Sequence, residues 1–206
     1  PIVENLQKNR EQIEGLCENC MDIIRQEITL GQGKALLVYV ETTATNVLMD
    51  QSVVARILKQ LSEKDREQQG KMIRENGLGV SKSKQFADLE QAVASMLTGD
   101  VLLFVDGCDV AVSLADKGYP GKPVGNCEAE KVIRGSSEGF CDSVKTNEAL
   151  VRKRIRSTGL KVLEKKAGVR SETTMAVLYM EELVRPEFLD KLEQGLEKYC
   201  IDGVFD

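Results

Sequence analysis

The sequence predicts an α/β fold of two small subdomains, each a mixed sheet packed by helices, joined by a Gly/Pro-rich linker. Short, continuously apolar runs at residues 35–40 and 101–105 are typical of buried strands. Segments with helical apolar spacing separate these runs, which favours helices layered on a sheet. Glycine and proline crowd into residues 115–126, where no regular element is expected to persist.

The first subdomain is predicted over residues 1–125. Apolar positions at helical intervals predict one or two amphipathic helices over residues 2–30. A strand at residues 35–40, a helix at 47–61, a charged continuation or turn at 63–69 and a helix at 86–97 are expected to follow. Residues 101–106 and 108–114 are predicted to form a hairpin, because Asp106-Gly107 is a favoured hairpin turn.

The second subdomain is predicted over residues 126–206. Ser137 is expected to cap a helix over residues 138–157, because a serine hydroxyl satisfies a free amide of the first turn. Pro186 is expected to open a last helix. The predicted strands are residues 129–133, an antiparallel pair at 160–167 and 173–180, and a terminal strand at 200–205.

The net charge of −5 and the absence of histidine argue against nucleic-acid binding, metal binding and most kinds of catalysis. Nucleic-acid binding is not expected, because a phosphate-binding surface needs an excess of lysine and arginine. Histidine is the commonest general base and a frequent metal ligand. We therefore expect no cofactor, no metal and no enzymatic activity, with cysteine or carboxylate catalysis as the remaining enzyme hypothesis.

The sequence shows neither an apolar run of about 18 residues nor a signal peptide, so we expect these residues to be soluble and leave open a membrane region beyond either end. Six cysteines without a secretory signal indicate reduced thiols and a cytoplasmic location. Cys17 and Cys20 have CxxC spacing within a helical pattern. Packing or surface thiols are favoured over a metal or redox role.

A basic run closes the predicted 138–157 helix; its members are Arg152, Lys153, Arg154 and Arg156. It is either a solvated helix end, stabilised by the helix dipole, or an interface whose guanidinium groups hold carboxylates of the same domain or a neighbouring subunit. Candidate carboxylates are Glu128, Glu130 and Glu138. The interface hypothesis predicts that charge reversal at Arg152 and Arg154 weakens association while the isolated domain stays folded.

Asn147 lies inside the same predicted helix, although asparagine is a poor helix former. Its side chain is either exposed and incidental or bonded to loop backbone, with the turn near Arg134 as the expected partner. In the second case Glu128, Arg134 and Asn147 form a polar cluster that braces the linker.

Several motifs follow one another from residue 128 onward: a glutamate-rich approach, an arginine-glycine turn, a Glu-Gly-Phe helix start, an asparagine and a basic helix end. Their positions are Glu128, Glu130, Arg134, Gly135, Glu138, Gly139, Phe140, Asn147, Leu150, Val151, Arg152, Arg154 and Ile155. Residues 168–173 add a Gly-x-Arg-Ser-x-Thr motif, and residues 201–203 add Ile-Asp-Gly. In this order the motifs resemble the GerA family, the A-subunits of bacterial spore germination receptors and the related stage V sporulation protein AF. Ser136 and residues 119–121 look more like the latter branch.

The resemblance implies a multi-pass membrane region after residue 206, a place at the cytoplasmic face of the inner spore membrane, and an oligomeric, channel-like complex. The leading hypothesis is a non-enzymatic interaction and regulatory domain that acts in germination and ion release, with itself and other germination subunits as partners. The alternative is a small-molecule-binding domain with its ligand in the cleft between subdomains. The expected interface or structural positions are Glu128, Glu130, Arg134, Gly135, Glu138, Phe140, Asn147, Arg152, Arg154 and Arg156.

Overall fold

The computed structural model describes residues 1–44, 52–75, 78–80, 83–115, 139–198 and 201–204. The chain divides into two compact units, one of Pro1–Glu18 with Asp22–Gly121 and the other of Asn19–Met21 with Lys122–Asp206. The predicted α/β class is confirmed, since helices alternate with strands that form one five-stranded and one two-stranded sheet. The predicted boundary near residue 125 lies outside the described residues and stays a prediction.

The described part of the first unit is a sheet covered by helices. Its elements are α1 Leu6–Leu16, β1 Ile23–Leu30, β2 Gly33–Val40, α2 Val53–Ser62, α3 Arg66–Arg74, β3 Ser83–Phe86, α4 Leu89–Met96, β4 Val101–Val105 and β5 Ala111–Leu114. The strand order is β1-β2-β4-β5-β3. Each neighbouring pair is antiparallel. The sheet therefore differs from the prediction, which was a mixture of parallel and antiparallel strands.

Strand β1 occupies residues that were expected to be helical. Ile23, Ile24 and Ile28 fit a helical spacing, but their β-branched side chains favour a pleated strand. β1 pairs with β2 along its whole length. Gly31, at φ 57°, allows the turn between the two strands, because the left-handed region suits glycine. The helix prediction over residues 2–30 is therefore correct for α1 and wrong for β1.

The predicted hairpin around Asp106-Gly107 is confirmed, with β4 and β5 paired so that Val101 faces Leu114. Two elements differ from expectation. β3 was not predicted, and α3 replaces the expected charged continuation of the preceding helix. Asp65 caps α3 by accepting a hydrogen bond from the amide of Gln68 at 2.8 Å, which starts a new helix at that point.

The core of the first unit lies on the central strands β2 and β4. Leu37 and Leu103 are fully buried there, together with Ile57 and Leu61 of α2. Burying a side chain of this size stabilises the fold by about 1.5 to 3 kcal/mol. This apolar core therefore stabilises the first unit.

The described part of the second unit contains α5 Val144–Arg154, β6 Leu160–Ala167, β7 Thr173–Met180 and α6 Pro186–Lys198. β6 and β7 form the predicted antiparallel pair with the predicted bounds, and Pro186 opens α6 as expected. The terminal strand is wrong for residues 201–204, which have no strand structure. The predicted strand at residues 129–133 lies outside the described residues.

A short piece of the amino-terminal half belongs to the second unit. Asn19–Met21 groups with it, and Cys20 forms a parallel bridge to Val162 of β6. The amide of Val162 donates to the carbonyl of Asn19, and the amide of Met21 donates to the carbonyl of Val162, both at 3.0 Å. This three-residue segment therefore extends the two-stranded sheet on the β6 side.

The structure also bears on the expected roles of the cysteines and on metal binding. Cys17 and Cys20 are buried, as packing thiols would be, and the described residues contain no group of three histidine, cysteine or acidic side chains that could hold a metal ion. None of the helices within the described ranges is both long and apolar enough to cross a bilayer.

Candidate functional site

Helix α5 places two charged side chains in the interior of the second unit. Glu148 and Arg152 are four residues apart and therefore lie on the same face of the helix. Both are buried, Arg152 with only 1% of its surface exposed, and Lys161 of β6 is buried as well. Charged side chains are rarely this deep unless they are paired. We call Lys145, Glu148, Arg152, Lys161 and Glu164 the α5 cluster.

The guanidinium group of Arg152 holds the end of α5 against the start of β6. Its Nη1 donates to the carbonyl of Ser157 at 2.7 Å, and its Nη2 donates to the carbonyl of Leu160 at 3.1 Å. Because the guanidinium group presents several donors in fixed directions, one side chain can bond to two backbone carbonyls that follow the helix. Arg152 thus organises the turn from helix to strand.

The structure separates the two interpretations of the basic run at Arg152. Its side chain is buried, so it is not part of a solvated helix end. The carboxylates expected to pair with it, Glu128, Glu130 and Glu138, lie outside the described residues, so that interpretation stays a prediction. Because a carboxylate at this position would face the carbonyls of Ser157 and Leu160, we now expect charge reversal at Arg152 to destabilise the domain.

Lysines complete the α5 cluster. Lys145 forms ion pairs with Glu148, at 3.5 Å, and with Glu164 of β6. The nearly buried Lys161 pairs with Glu181 at 3.1 Å. Opposite charges this close recover part of the desolvation penalty that each would suffer alone. Through the pair of Lys145 with Glu164, the cluster joins α5 to β6.

Asn147 bonds to the loop that leads into α5. Its Oδ1 accepts from the amide of Cys141 at 2.8 Å, and its Nδ2 donates to the carbonyl of Cys141 at 2.7 Å. The predicted bond to loop backbone is confirmed, but the partner is Cys141 and not the turn near Arg134. The proposed cluster with Glu128 and Arg134 stays a prediction, since both lie outside the described residues.

The start of α5 differs from the expected one. The helix begins at Val144, and the hydroxyl of Ser143 accepts from the amide of Thr146 at 3.3 Å. Ser143 is therefore the cap where Ser137 was expected. Phe140, one of the expected interface or structural positions, precedes the helix and is exposed.

The other predicted site residues fall into two groups. Arg154 and Arg156 are exposed at the end of α5, and the Nε of Arg156 donates to the carbonyl of Lys153 at 3.1 Å. The remaining positions, Glu128, Glu130, Arg134, Gly135 and Glu138, lie outside the described residues. The structure thus brings Asn147 and Arg152 onto one helix with different tasks, and leaves Arg154 and Arg156 at the surface.

A second cluster joins the two downstream motifs. The turn between β6 and β7 holds the segment at residues 201–204 through five hydrogen bonds. Main-chain amides of Val169 and Arg170 donate to the carbonyls of Ile201 and Asp202, both at 2.9 Å, and the amide of Ser171 donates to Asp202 at 3.4 Å. We call this set of contacts the turn clamp.

Two side chains of the turn complete the turn clamp. The hydroxyl of Thr173 donates to the carbonyl of Val204 at 2.6 Å, and the hydroxyl of Ser171 accepts from the amide of Val204 at 3.1 Å. Gly168, at φ 83°, gives the turn its shape. The glycine, serine and threonine of the sequence motif therefore each have a geometric task, and that task is to hold residues 201–204.

A cavity of about 210 Å³ in the first unit has a charged lining that is already paired. The ammonium group of Lys34 lies 2.6 Å from a carboxylate oxygen of Glu27, and the guanidinium of Arg66 lies 2.7 Å from Asp106. The hydrogen bond from Lys34 lowers the pKa of Glu27. These contacts are typical of a solvated ion-pair surface, so this cavity does not favour a ligand-binding function.

Sequence reasoning missed Glu148, Lys161 and the contact between the two motifs that form the turn clamp. Glu148 stands one helical turn before Arg152, and that spacing is a usable signal for a pair on one face. Lys161 interrupts an apolar strand, which is a weaker signal. The bond partners of Ser171 and Thr173 lie about thirty residues away in the sequence, and local pattern carries no information on such contacts.

Comparison with known proteins gives consistent matches. A family profile described as Bacillus/Clostridium GerA spore germination protein matches residues 11–206. The uncharacterized membrane protein YfkQ of Bacillus subtilis is 30% identical over 207 residues, which cover 100% of this chain and 40% of that protein. Stage V sporulation protein AF of Bacillus subtilis is 31% identical over 130 residues, or 63% of this chain and 26% of that protein.

The fold also matches a solved structure, the N-terminal domain of the A subunit of the Bacillus megaterium spore germinant receptor GerK3. The TM-score is 0.72 at 20% identity, over 98% of this chain and 73% of that one. The chain spans 40% of YfkQ and 26% of stage V sporulation protein AF, so it corresponds to less than half of either relative.

Proposed function

We propose, since this chain belongs to the GerA family of spore germination proteins, that it is a non-enzymatic interaction and regulatory domain of a spore membrane protein that acts in germination. In this proposal the domain lies at the cytoplasmic face of the inner spore membrane. Its partners are further copies and other germination subunits, together forming a channel-like complex for ion release. The names of the relatives support the membrane and germination parts of the proposal.

The observation that carries this proposal is the turn clamp. Five hydrogen bonds fix residues 201–204 to the β6–β7 turn, so the chain leaving α6 follows any movement of that hairpin. The resemblance implies that a membrane region follows residue 206. Residues 201–204 would then transmit a conformational change of the domain to that membrane region.

A coupling of this kind needs a binding event that favours one arrangement over another, because a ligand shifts an equilibrium only by its difference in affinity. The proposed event is a contact with another protein surface. The absence of histidine from the chain supports a binding role over catalysis. The clamp supplies a contiguous hydrogen-bonded network of the kind that carries coupling between distant sites.

The test uses spores that carry the full-length protein with Ser171→Ala and Thr173→Val together. Both side-chain bonds of the turn clamp are then lost, and we expect ion release after germinant addition to be slower or absent at normal protein levels. Thr174→Val is the matched control, since this neighbouring threonine is exposed. Hydrogen exchange at the Val204 amide reports whether the clamp has opened. Normal ion release from spores with an opened clamp would refute the proposal.

A further inference from the structure

The turn clamp carries an exposed apolar patch. Val169 of the β6–β7 turn is 66% exposed, and Ile201 of the clamped segment is 44% exposed. The hydrogen bond from the amide of Val169 to the carbonyl of Ile201, at 2.9 Å, places these residues side by side although they are far apart in the sequence. Arg170 follows Val169 and is exposed too. We call Val169, Arg170 and Ile201 the clamp patch.

The hydrogen bonds of the turn clamp do not require these apolar side chains. All five bonds use main-chain atoms or the hydroxyl groups of Ser171 and Thr173. Polar side chains at positions 169 and 201 would leave every one of those bonds in place and would be better solvated by water. Exposed large apolar side chains that two segments bring together are instead typical of a surface that contacts a partner.

The charges beside the clamp patch favour an apolar contact over a strongly charged partner. Lys166 and Glu172 neutralise one another in an exposed ion pair at 2.8 Å. Arg170 and Asp202 are exposed on the two segments of the clamp, and neither side chain forms an ion pair with any residue that the structure describes. The charges of this cation and this carboxylate cancel. A partner with a large net charge of either sign therefore gains little at this surface.

The position of the clamp patch indicates which apolar partner it meets. In the proposed function, the chain continues from residues 201–204 towards a membrane region. The relative YfkQ, of which this chain spans 40%, is named a membrane protein. A surface that is bonded to this segment is tethered to the bilayer, and tethering raises the effective concentration of the two surfaces.

We propose that the clamp patch rests on the surface of the lipid bilayer. The side chains of Val169 and Ile201 enter the boundary between headgroups and acyl chains, where their apolar area leaves water. Arg170 keeps its guanidinium group among the lipid phosphates, to which it can donate two parallel hydrogen bonds. The inference rests on the proposed function and deepens it by naming the bilayer as a partner of the turn clamp.

A single introduced tryptophan tests this contact, because the chain has no tryptophan of its own. Val169→Trp places the probe in the clamp patch. Leu183→Trp is the matched control, because Leu183 is 78% exposed and follows β7 at the opposite end of the hairpin, about 24 Å away at 3.4 Å per residue.

Each 206-residue variant is tethered by a carboxy-terminal histidine tag to phosphatidylcholine vesicles that contain a small fraction of nickel-chelating lipid. Part of the phosphatidylcholine carries bromine on its acyl chains, and bromine quenches tryptophan only at contact. We expect most of the fluorescence to be lost at position 169 and little of it at position 183.

Two further substitutions in the Val169→Trp chain separate the parts of the contact. Ile201→Asp should abolish most of the quenching, since burying a carboxylate at the apolar boundary is costly. Arg170→Gln should remove part of it, equally in phosphatidylcholine vesicles and in vesicles with added phosphatidylglycerol, because both lipids carry the phosphate group. Hydrogen exchange at the Val204 amide checks that the turn clamp stays closed in each variant.

Equal quenching at positions 169 and 183, quenching at neither, or quenching that survives Ile201→Asp would each overturn the contact. A loss from Arg170→Gln that is confined to phosphatidylglycerol vesicles would overturn the phosphate assignment, because it would show attraction to net negative charge. The proposed function is judged separately, by ion release from spores with an opened clamp. Quenching at position 169 with normal ion release would leave the contact standing and refute the function, and slowed release without quenching would do the reverse.

Discussion

The side-chain amide of Asn147 and the main chain of Cys141 form a closed pair of hydrogen bonds, 2.8 Å at Oδ1 and 2.7 Å at Nδ2. The pair spans six residues and holds the loop that enters α5 in one conformation. An asparagine inside a helix is therefore explained by a bond to the chain outside that helix, because its side chain offers one acceptor and two donors.

Asn147→Ala should lower the free energy of unfolding by about 1 to 2 kcal/mol, since two neutral hydrogen bonds of about 1 kcal/mol each are lost. Asn147→Asp keeps the acceptor and should lose less at neutral pH. Urea unfolding of both variants gives the values. Asp142→Ala, at an exposed neighbour, is the control. An Asn147→Ala value no larger than the control value would show that the pair adds nothing to stability.

Arg152→Met should lower the free energy of unfolding by about 3 to 5 kcal/mol, because it removes one member of a buried charged cluster and both carbonyl contacts. Arg152→Lys keeps the charge but not the planar fork, so we expect an intermediate loss. Arg154→Met is the matched control and should stay within about 0.5 kcal/mol of wild type, because Arg154 is exposed. Equal losses at Arg152 and Arg154, measured by urea unfolding, would contradict the buried role.

Gly168→Ala should open the turn clamp. The left-handed φ of 83° disfavours a side chain, and a Cβ atom would collide with Oγ of Ser171 and lie 3.1 Å from the Cα of Gly203. The backbone strain alone is worth about 1 to 2 kcal/mol. We expect a lower melting temperature and faster hydrogen exchange at the Val204 amide.

Gly15→Ala is the opposite control for that experiment. This glycine lies in α1 with open space around it and has no positive φ, so alanine should be neutral or stabilising there. Unchanged exchange at Val204 in Gly168→Ala would mean that the turn does not hold residues 201–204.

Burial raises the pKa of the Cys108 thiol above its ordinary value of 9.0. The folded state therefore holds this proton more tightly than the unfolded state does. The resulting stability is complete below the unfolded pKa and is lost as the pH rises through the folded pKa. Unfolding by urea at several alkaline pH values should show this loss in wild type and less of it in Cys108→Ala. Parallel curves for the two proteins would contradict the assignment.

The sequence was sufficient where local pattern and turn chemistry agree. β6 and β7 have the predicted bounds because Gly168 and alternating side chains mark a hairpin without competition. β1 was mistaken for helix because Ile23, Ile24 and Ile28 satisfy a helical spacing, and pairing with β2 decides between the two. The burial of Arg152 could not be predicted, since the carbonyl of Leu160 becomes available only after β6 is placed against α5.

The second unit is discontinuous in the amino-acid sequence, because Cys20 forms a parallel bridge with Val162. A polypeptide that starts at residue 122 or later lacks Asn19–Met21, and the β6 amide and carbonyl of Val162 then lose their intramolecular partners. Dissection of this protein into separately expressed halves therefore exposes a strand edge that the intact chain covers, and edges of that kind pair readily with other chains. Deletion boundaries for work on the carboxy-terminal half should carry these three residues along.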